Sequence, residues 1–440
     1  MYLCRQTIYT MQDSTSNFTK KIWITAFAMF SMFFGGGNFI LPPLLGARAV
    51  DQWLIVAAGF GISAVVIPLL GVLAQAKLQG TMFDFGRKVY PKFGLIIGSM
   101  MYIICLVLPI PRTASVVYEL SVAPSFSLDA LWFNIIYFAL VGYLCFNRNK
   151  VIPILGKYLT PIMLVIIISM IVSAIFVEKT IPSSSTENVF VMGIFEGYQT
   201  YDGIASLIIG GVITVSLNMD RTLSFAQKRR ISIYSGIISG IALLAIYAGF
   251  IYTGAILSDE FSANATRSQV LIGVGQHTLG QFGYILLSVA VSIVCFTTAV
   301  GIITGAADFF KTTNGGSNKI YTWVVVVSCL IGVLLGRTGV EYIIKIAIPV
   351  LVLIYPIVIM LILLNLAPDK WTSVLVFRIV VGTAFVFSLP DFISTIGLPI
   401  GDWIDYLPLS SHHLMWVCPA FLSWIIGLSI EKATKRRTRD

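Results

Sequence analysis

Long apolar runs without a charge recur along the chain, separated by short polar connections; 163–176 and 347–364 are examples. Neither run alternates in the period-two manner of a barrel strand with one face in lipid. A helix rises about 1.5 Å per residue and needs about 20 apolar residues to cross hydrocarbon. On that basis the pattern predicts an all-α chain of twelve spans, at 22–47, 53–76, 93–117, 128–146, 151–177, 199–218, 231–257, 280–310, 320–336, 340–366, 372–395 and 412–430. The fourth and ninth are short, and the eighth is long enough to tilt.

Charge orients these spans, because Lys and Arg concentrate in cytoplasmic loops. Lys20 and Lys21 precede the first span. Lys77, Arg87, Lys88 and Lys92 lie between the second and third, and Arg148 and Lys150 between the fourth and fifth. Arg221, Lys228, Arg229 and Arg230 follow the sixth. Lys311 and Lys319 follow the eighth, Lys370 the tenth, and Lys432, Lys435, Arg436, Arg437 and Arg439 the twelfth. The alternate loops hold Glu178, Glu187, Asp259, Glu260, Asp402 and Asp405, with Lys179, Arg267 and Arg337 as isolated exceptions. Every second loop is basic, which predicts both termini on the cytoplasmic side of the membrane. The expected organisation is a cytoplasmic tail at 1–21, a first repeat at 22–177, an external loop at 178–198, a second repeat at 199–366, two further helices at 367–430 and a basic tail at 431–440.

Composition agrees with lipid as the solvent. Of 440 residues, 57% are hydrophobic and 11% charged, against roughly 25% charged in soluble domains. The net charge of +9 lies in loops rather than on one folded face, so no nucleic-acid partner is expected, and no obligatory protein partner. Six cysteines lack close-spaced pairs and read as buried thiols, without a disulfide framework or metal motif. Residues 1–19 are polar and lack a signal-peptide core, so the first span is expected to direct insertion. There is no His–Glu metal motif, Ser/His/Asp set or phosphate loop, which argues against an enzyme. Of the three histidines, His277 reads as loop, and His412 and His413 open the twelfth span. Broken helices also build channels, but few polar residues recur along these spans.

Two spans carry interruptions. The first contains Gly35, Gly36, Gly37 and Asn38, then Pro42 and Pro43. Each glycine costs about 1 kcal/mol relative to Ala inside a helix, and prolines remove donors and clash with the preceding turn. Backbone freed at mid-membrane must find partners or line a polar cavity. A half-helix beginning near Asn38 would aim its N–H groups at an anion such as a carboxylate. One ending near Phe34 would leave carbonyls suited to a cation. The alternative is a glycine packing site between helices. The second interruption, Glu196, Gly197, Tyr198, Gln199, Thr200, Tyr201, Asp202 and Gly203, opens the sixth span. Asp202 could hold an ammonium group, a cation or a proton, or simply cap the helix. Breaks five spans apart fall in halves of opposite orientation, which is the mark of an inverted-topology repeat with its site at mid-membrane.

Thr297 and Thr298 add hard oxygens in the eighth span, though threonine often bonds its own helix backbone. Arg112, near the outer end of the third span, reads either as a gate or vestibule residue paired with Asp202 or Glu119, or as an arginine snorkelling to the interface. Asp308, Lys311 and Asp391 are expected at interfaces, and Lys345 and Arg378 as snorkelling side chains.

These motifs resemble those of the bacterial branched-chain amino acid:cation symporters, the LIVCS family. The resemblance rests on the first-span run from Phe33 through Gly35, Gly36, Gly37 and Asn38 to Pro42 and Pro43. It rests also on Ile110-Pro111-Arg112-Thr113-Ala114, Glu196 through Asp202, Thr297 through Gly301, and Pro349 through Pro356. It implies a LeuT-type five-plus-five inverted repeat with helices 1 and 6 broken, and Na+- or H+-coupled uptake of leucine, isoleucine and valine. No other cofactor is implied. The substrate would lie against Gly35, Gly36, Gly37, Asn38, Gly197, Tyr198, Thr200 and Asp202. Its carboxylate would meet the Gly36 and Gly37 backbone. A cation would take Ser31 and Phe34 carbonyls with the Thr297 and Thr298 hydroxyls. Gln199, Tyr201 and Gly203 depart from the family pattern at the pocket, which leaves methionine or another apolar amino acid as an alternative solute.

Overall fold

The computed structural model describes residues 2–78, 82–146, 160–177, 188–262, 264–399, 407, 409–410 and 414–437, and among them there is no strand. The leading span divides in two. Helix α1, Tyr2–Phe33, stops at the glycine run, and α2, Gly36–Ala49, restarts beyond Gly35. The stretch before Lys20, expected as a tail, continues α1 as helix. Helices α3 (Trp53–Gly61) and α4 (Ile67–Leu78) make the second span through a π-helical turn at Ile62–Val66. The third is α5 (Phe93–Val107) and α6 (Pro109–Val117), offset at Leu108 because Pro109 and Pro111 cannot continue the donor ladder. Helices α7 (Ala130–Phe146) and α8 (Thr160–Ile175) are the fourth and fifth.

The sixth span differs from expectation. It begins ten residues earlier, with α9 (Val189–Tyr198), and resumes as α10 (Asp202–Met219) after a 45° bend. The polar stretch is therefore an internal break and not the helix start. The apolar run before Glu196 is too short to register as a span by itself.

The remaining helices are α11 (Phe225–Ile256), α12 (Arg267–Thr313), α13 (Asn318–Gly336), α14 (Val340–Leu366), α15 (Val374–Thr395) and α16 (Val417–Arg437). Helix α12 is two helices end to end, since Gly280 sits at φ 64, a left-handed conformation that glycine adopts without steric penalty. The eighth span thus starts where predicted, and a further helix precedes it. His277 lies on that helix, not in a loop. His412 and His413 lie outside the described residues.

By length and composition alone, eight helical stretches among the described residues can cross a membrane, or nine with the bent pair. That criterion does not give twelve. It joins 36–78 into one stretch, and it passes over α7 and the described apolar part of α8, which are shorter.

The packing displays the inverted repeat. Helices α1 and α2 lie on α11, and five spans away α9 and α10 lie on α3 and α4. Likewise α14 packs on α4 as α8 packs on α11. The third and eighth spans meet each other through α6 and α12, and the fourth and ninth through α7 and α13. Helix α15 packs on α14, and α16 on α15, outside the two repeats. Asp391, expected at an interface, is fully buried, because α15 is laid along α14 there.

Small residues let the backbones meet. A Cβ on Gly46 would overlap the Ile251 carbonyl, and one on Gly254 the Pro43 carbonyl, so α2 and α11 touch main chain to main chain. The repeat-related contact of α3 with α9 is built the same way, through Gly59 and Gly193.

Polar contacts join the loops at each end. At the basic end, Lys21 pairs with Asp220 at 2.6 Å, Lys77 donates to the Ala367 carbonyl at 2.6 Å, and Arg378 donates to the Val89 carbonyl at 2.9 Å. The Lys21 ammonium and the Thr222 donors hold the Asp220 carboxyl below the usual carboxylate range. That tie is therefore present above the ordinary carboxylate pKa and is lost only as pH falls through the lowered value. Gly254→Val is expected to destabilise the folded chain by about 1–3 kcal/mol through overpacking against Pro43, read as a lower melting temperature in detergent.

Candidate functional site

Both breaks meet at the centre of the bundle. Phe34 still donates to Phe30 at 2.8 Å, Gly35 is extended at φ −110 and ψ 178, and Asn38 N donates to Gly35 O at 3.0 Å. The Asn38 side chain accepts from Gly35 N at 3.3 Å and so closes the start of α2. On the other side, Tyr201 takes the left-handed conformation at φ 64. That is uncommon for a side chain of this size and costs about 1–3 kcal/mol unless the surroundings enforce it. Thr200 Oγ1 donates to Gly197 O at 2.8 Å and accepts from Asp202 N at 3.2 Å, which caps the new helix.

The breaks are tied to one another. Asn38 Nδ2 donates to Asp202 Oδ2 at 2.9 Å across 164 residues of chain. Asn38 also bonds the Tyr247 hydroxyl of α11, which reaches Asp202 Oδ2 at 3.4 Å. All three are buried. Asp202 is thus an inter-helix acceptor as well as the first residue of α10. Tyr247 was not singled out by the sequence, since one tyrosine in an apolar span has no local mark. Its only signal is that a buried phenol needs a partner.

A cavity of about 520 Å³ opens beside this knot. It is lined by Ser31, Phe34, Gly35, Gly36, Gly37, Asn38, Arg112, Thr200, Asp202, Thr297 and Thr298, eleven of the residues expected from sequence. Gly197 and Tyr198 stand apart from that lining. Gly197 packs on Ser63, and Tyr198 stacks on Tyr355 with centroids 4.1 Å apart, so both serve helix contacts. Gly35 abuts Thr298, whose hydroxyl would stand 3.5 Å from an added Cβ. Thr297 donates to its own helix at Val294 O, 3.0 Å away. A Cβ on Gly36 would overlap Cys295, and one on Gly37 would overlap Arg112. Arg112 is buried and donates to Gln199 O at 2.8 Å, rather than snorkelling or pairing with Glu119.

Away from the breaks the cavity runs toward the end with the basic loops, past Tyr102, Gly305 and Asp308. The opposite end is shut by ionic contacts. Arg267 Nη2 lies 2.5 Å from Glu196 of α9, and Nη1 pairs with Glu341 of α14. Glu119 accepts from Ser268 Oγ at 2.5 Å and from Val340 N at 2.8 Å. Among the described residues no group of three or more His, Cys, Asp or Glu is arranged to hold a metal ion.

A mid-bundle cavity at two broken helices, related by an inverted repeat, defines a membrane transporter of the LeuT-type fold. Solved structures share that fold at low identity. A Na+-coupled sialic acid symporter, in a substrate-bound outward-open state, aligns with a TM-score of 0.60 and 12% identity, covering 93% of this chain and 90% of that one. MhsT in complex with L-phenylalanine aligns at 0.56 and 15%, covering 93% and 97%. The family model for branched-chain amino acid transport proteins matches residues 18–434, and the chain belongs to that family, as its motifs led us to expect. It is similar to the branched-chain amino acid permease BraB of Bacillus subtilis, 31% identical and covering 93% of this chain and 95% of the permease. It is also similar to the permease BrnQ of Corynebacterium glutamicum, again 31% identical, covering 94% and 95%.

Tyr247→Phe removes one buried hydrogen-bonding group, worth about 1–1.5 kcal/mol. It is expected to raise the half-saturating solute concentration about 5- to 10-fold in uptake assays, with little change in expression. Gly305 lines the cavity and leaves room for a side chain. With the native cysteines replaced by serine, a Gly305→Cys chain is expected to be labelled by an impermeant maleimide from the face carrying the basic loops. Arg267→Gln should add labelling from the opposite face, as paired inside-out and right-side-out vesicles would reveal.

Proposed function

We propose that the chain is a secondary active symporter that carries leucine, isoleucine and valine into the cell, driven by a Na+ or H+ gradient. The observation that carries this reading is the cavity at the two breaks, where polar main chain and an apolar wall share one space. Backbone N–H groups at Gly36 and Gly37 suit a carboxylate, while Asp202 and Thr200 suit an ammonium group. The wall of Val116, Ile208, Ile209, Val294 and Val300 suits a branched aliphatic side chain. The volume falls in the range of about 300–1,000 Å³ common for small-molecule sites. The relatives BraB and BrnQ, both named as branched-chain amino acid permeases, support the same solute class.

For the coupling ion, carbonyls at Ser31 and Phe34 with the Thr298 hydroxyl offer hard oxygen ligands near the α1 terminus. Thr297, which bonds its own helix, would join them by rotating its hydroxyl. The bacterial relatives support placement in an inner membrane, and the basic loops support cytoplasmic termini, so the open end of the cavity would face the cytoplasm. A saturable symporter needs such alternate closure of its two ends.

Labelled leucine in proteoliposomes, under separate Na+ and H+ gradients, tests the proposal. Accumulation above equilibrium under one gradient is the expected result, and failure to concentrate any apolar amino acid would overturn it. Gly36→Leu should abolish uptake while the protein still inserts, because the side chain would displace Cys295 and fill the break. If Na+ is the driving ion, Thr298→Ala should raise the half-saturating Na+ concentration about tenfold, ~1.4 kcal/mol.

A further inference from the structure

Arg112 is buried with 4% of its surface exposed, and it lines the cavity. One amino group of its guanidinium donates to the Gln199 carbonyl at 2.8 Å, which caps the end of α9. The planar head lies 5.1 Å from the centre of the Tyr201 ring. Its other amino group, Nη1, is buried and has no hydrogen-bond partner. Among the described residues no carboxylate forms an ion pair with it. The acidic groups nearby are engaged elsewhere. Asp202 accepts from Asn38 and Tyr247, Glu196 is held by Arg267, and Glu119 by Ser268 and the Val340 backbone.

A charge withdrawn from water without a counter-charge is strongly disfavoured. An arginine cannot relieve this by losing its proton, so the positive charge is permanent. It is also placed with purpose. Its head packs directly against Gly37, where even one added carbon would overlap Nη2. It therefore stands beside the first turn of α2, whose free N–H groups favour an anion at the same spot. A guanidinium with an unpaired N–H next to a helix N-terminus matches a planar carboxylate, which such groups bind with charge-assisted hydrogen bonds.

We infer that Arg112 binds the carboxylate of the transported amino acid and is the residue that makes this site reject solutes lacking one. The inference rests on the amino-acid reading above and goes beyond it. Backbone N–H groups alone would receive any acceptor, whereas a buried fixed cation requires an anion. Tyr201, pinned in its left-handed conformation, keeps its ring against the guanidinium, and the Gln199 carbonyl fixes the rotation of the head. Solute entry would complete the charge balance at the junction of both breaks.

Binding measurements on the purified full chain test this. Leucine, 3-methylbutylamine (leucine without its carboxylate) and 4-methylpentanoate (leucine without its ammonium) are titrated, with ligand-induced shift in melting temperature as the readout. For the wild-type chain, the amine is expected to bind on the order of 30-fold or more below leucine, and 4-methylpentanoate nearer to leucine than the amine is. Arg112→Gln should weaken leucine on the order of 30-fold or more and leave the amine within about twofold, so that the discrimination collapses. Arg112→Lys, which keeps the charge and loses the fork, should fall between. If the amine and leucine bind the wild-type chain equally, or if Arg112→Gln weakens both ligands equally, the inference is overturned, and Arg112 serves only to hold the Gln199 carbonyl. Should Arg112→Gln not fold, the wild-type ligand pair and Arg112→Lys decide alone. Leucine binding unchanged in the variants overturns this inference while leaving the transport reading intact. A wild-type chain that binds no apolar amino acid overturns both.

Discussion

The hydrogen bonds of Asn38 to Asp202 and Tyr247 are what the rest of the centre depends on. Two helices are interrupted at the same depth, and each leaves main-chain groups that hydrocarbon would not tolerate. Asn38 belongs to the restart of the first broken span, Asp202 to the restart of the second, and Tyr247 to the helix that spans the gap. Because every partner is buried, losing one leaves another unsatisfied, which is costlier than losing the bond itself. The tie lets the chain keep two defects open next to a cavity without letting the repeats drift apart.

The two ends of the molecule are built differently. The buried Arg267 gathers Glu196, the exposed Glu341 and the start of α12 into one ionic knot, and Glu119 binds the neighbouring turn. At the other end, Lys21, Lys77 and Arg378 form peripheral contacts to loops and carbonyls, while the cavity passes among Tyr102, Gly305 and Asp308. Strong contacts seal one side, and the access route lies on the side where contacts are weaker. The close approach of α2 to α11 and of α3 to α9 keeps the sealed half rigid, since backbones in contact leave no room for adjustment.

Motif and hydropathy carried the reading far because lipid imposes simple rules. A span must be apolar and about 20 residues long, and loop charge follows orientation. Those rules located most helices and the first break within a few residues. They failed where an element is short or end-on. Residues 189–195, the apolar part of α9, are too few to register as a span. The helix before Gly280 is continuous with its successor in sequence and separated only by one left-handed glycine. Gly197 and Tyr198 sit in the same polar motif as Thr200 and Asp202, yet a bend of 45° turns them toward Ser63 and Tyr355 and away from the cavity.

The sequence by itself determined the helical class, the alternation of basic loops, the family, and the presence of two interruptions five spans apart, because each is a property of local composition or local spacing. Only the tertiary structure decided which polar groups share one space. Asn38 and Asp202 are 164 positions apart and meet solely because the repeats cross. Tyr247 joins them from a third helix that has no local motif. Arg112, legible only as a charge in a span, acquires a buried guanidinium with one unpaired amino group beside Gly37 because α6 is folded against both breaks at once. Burial and partner choice depend on long-range packing, and no window along the chain contains that information.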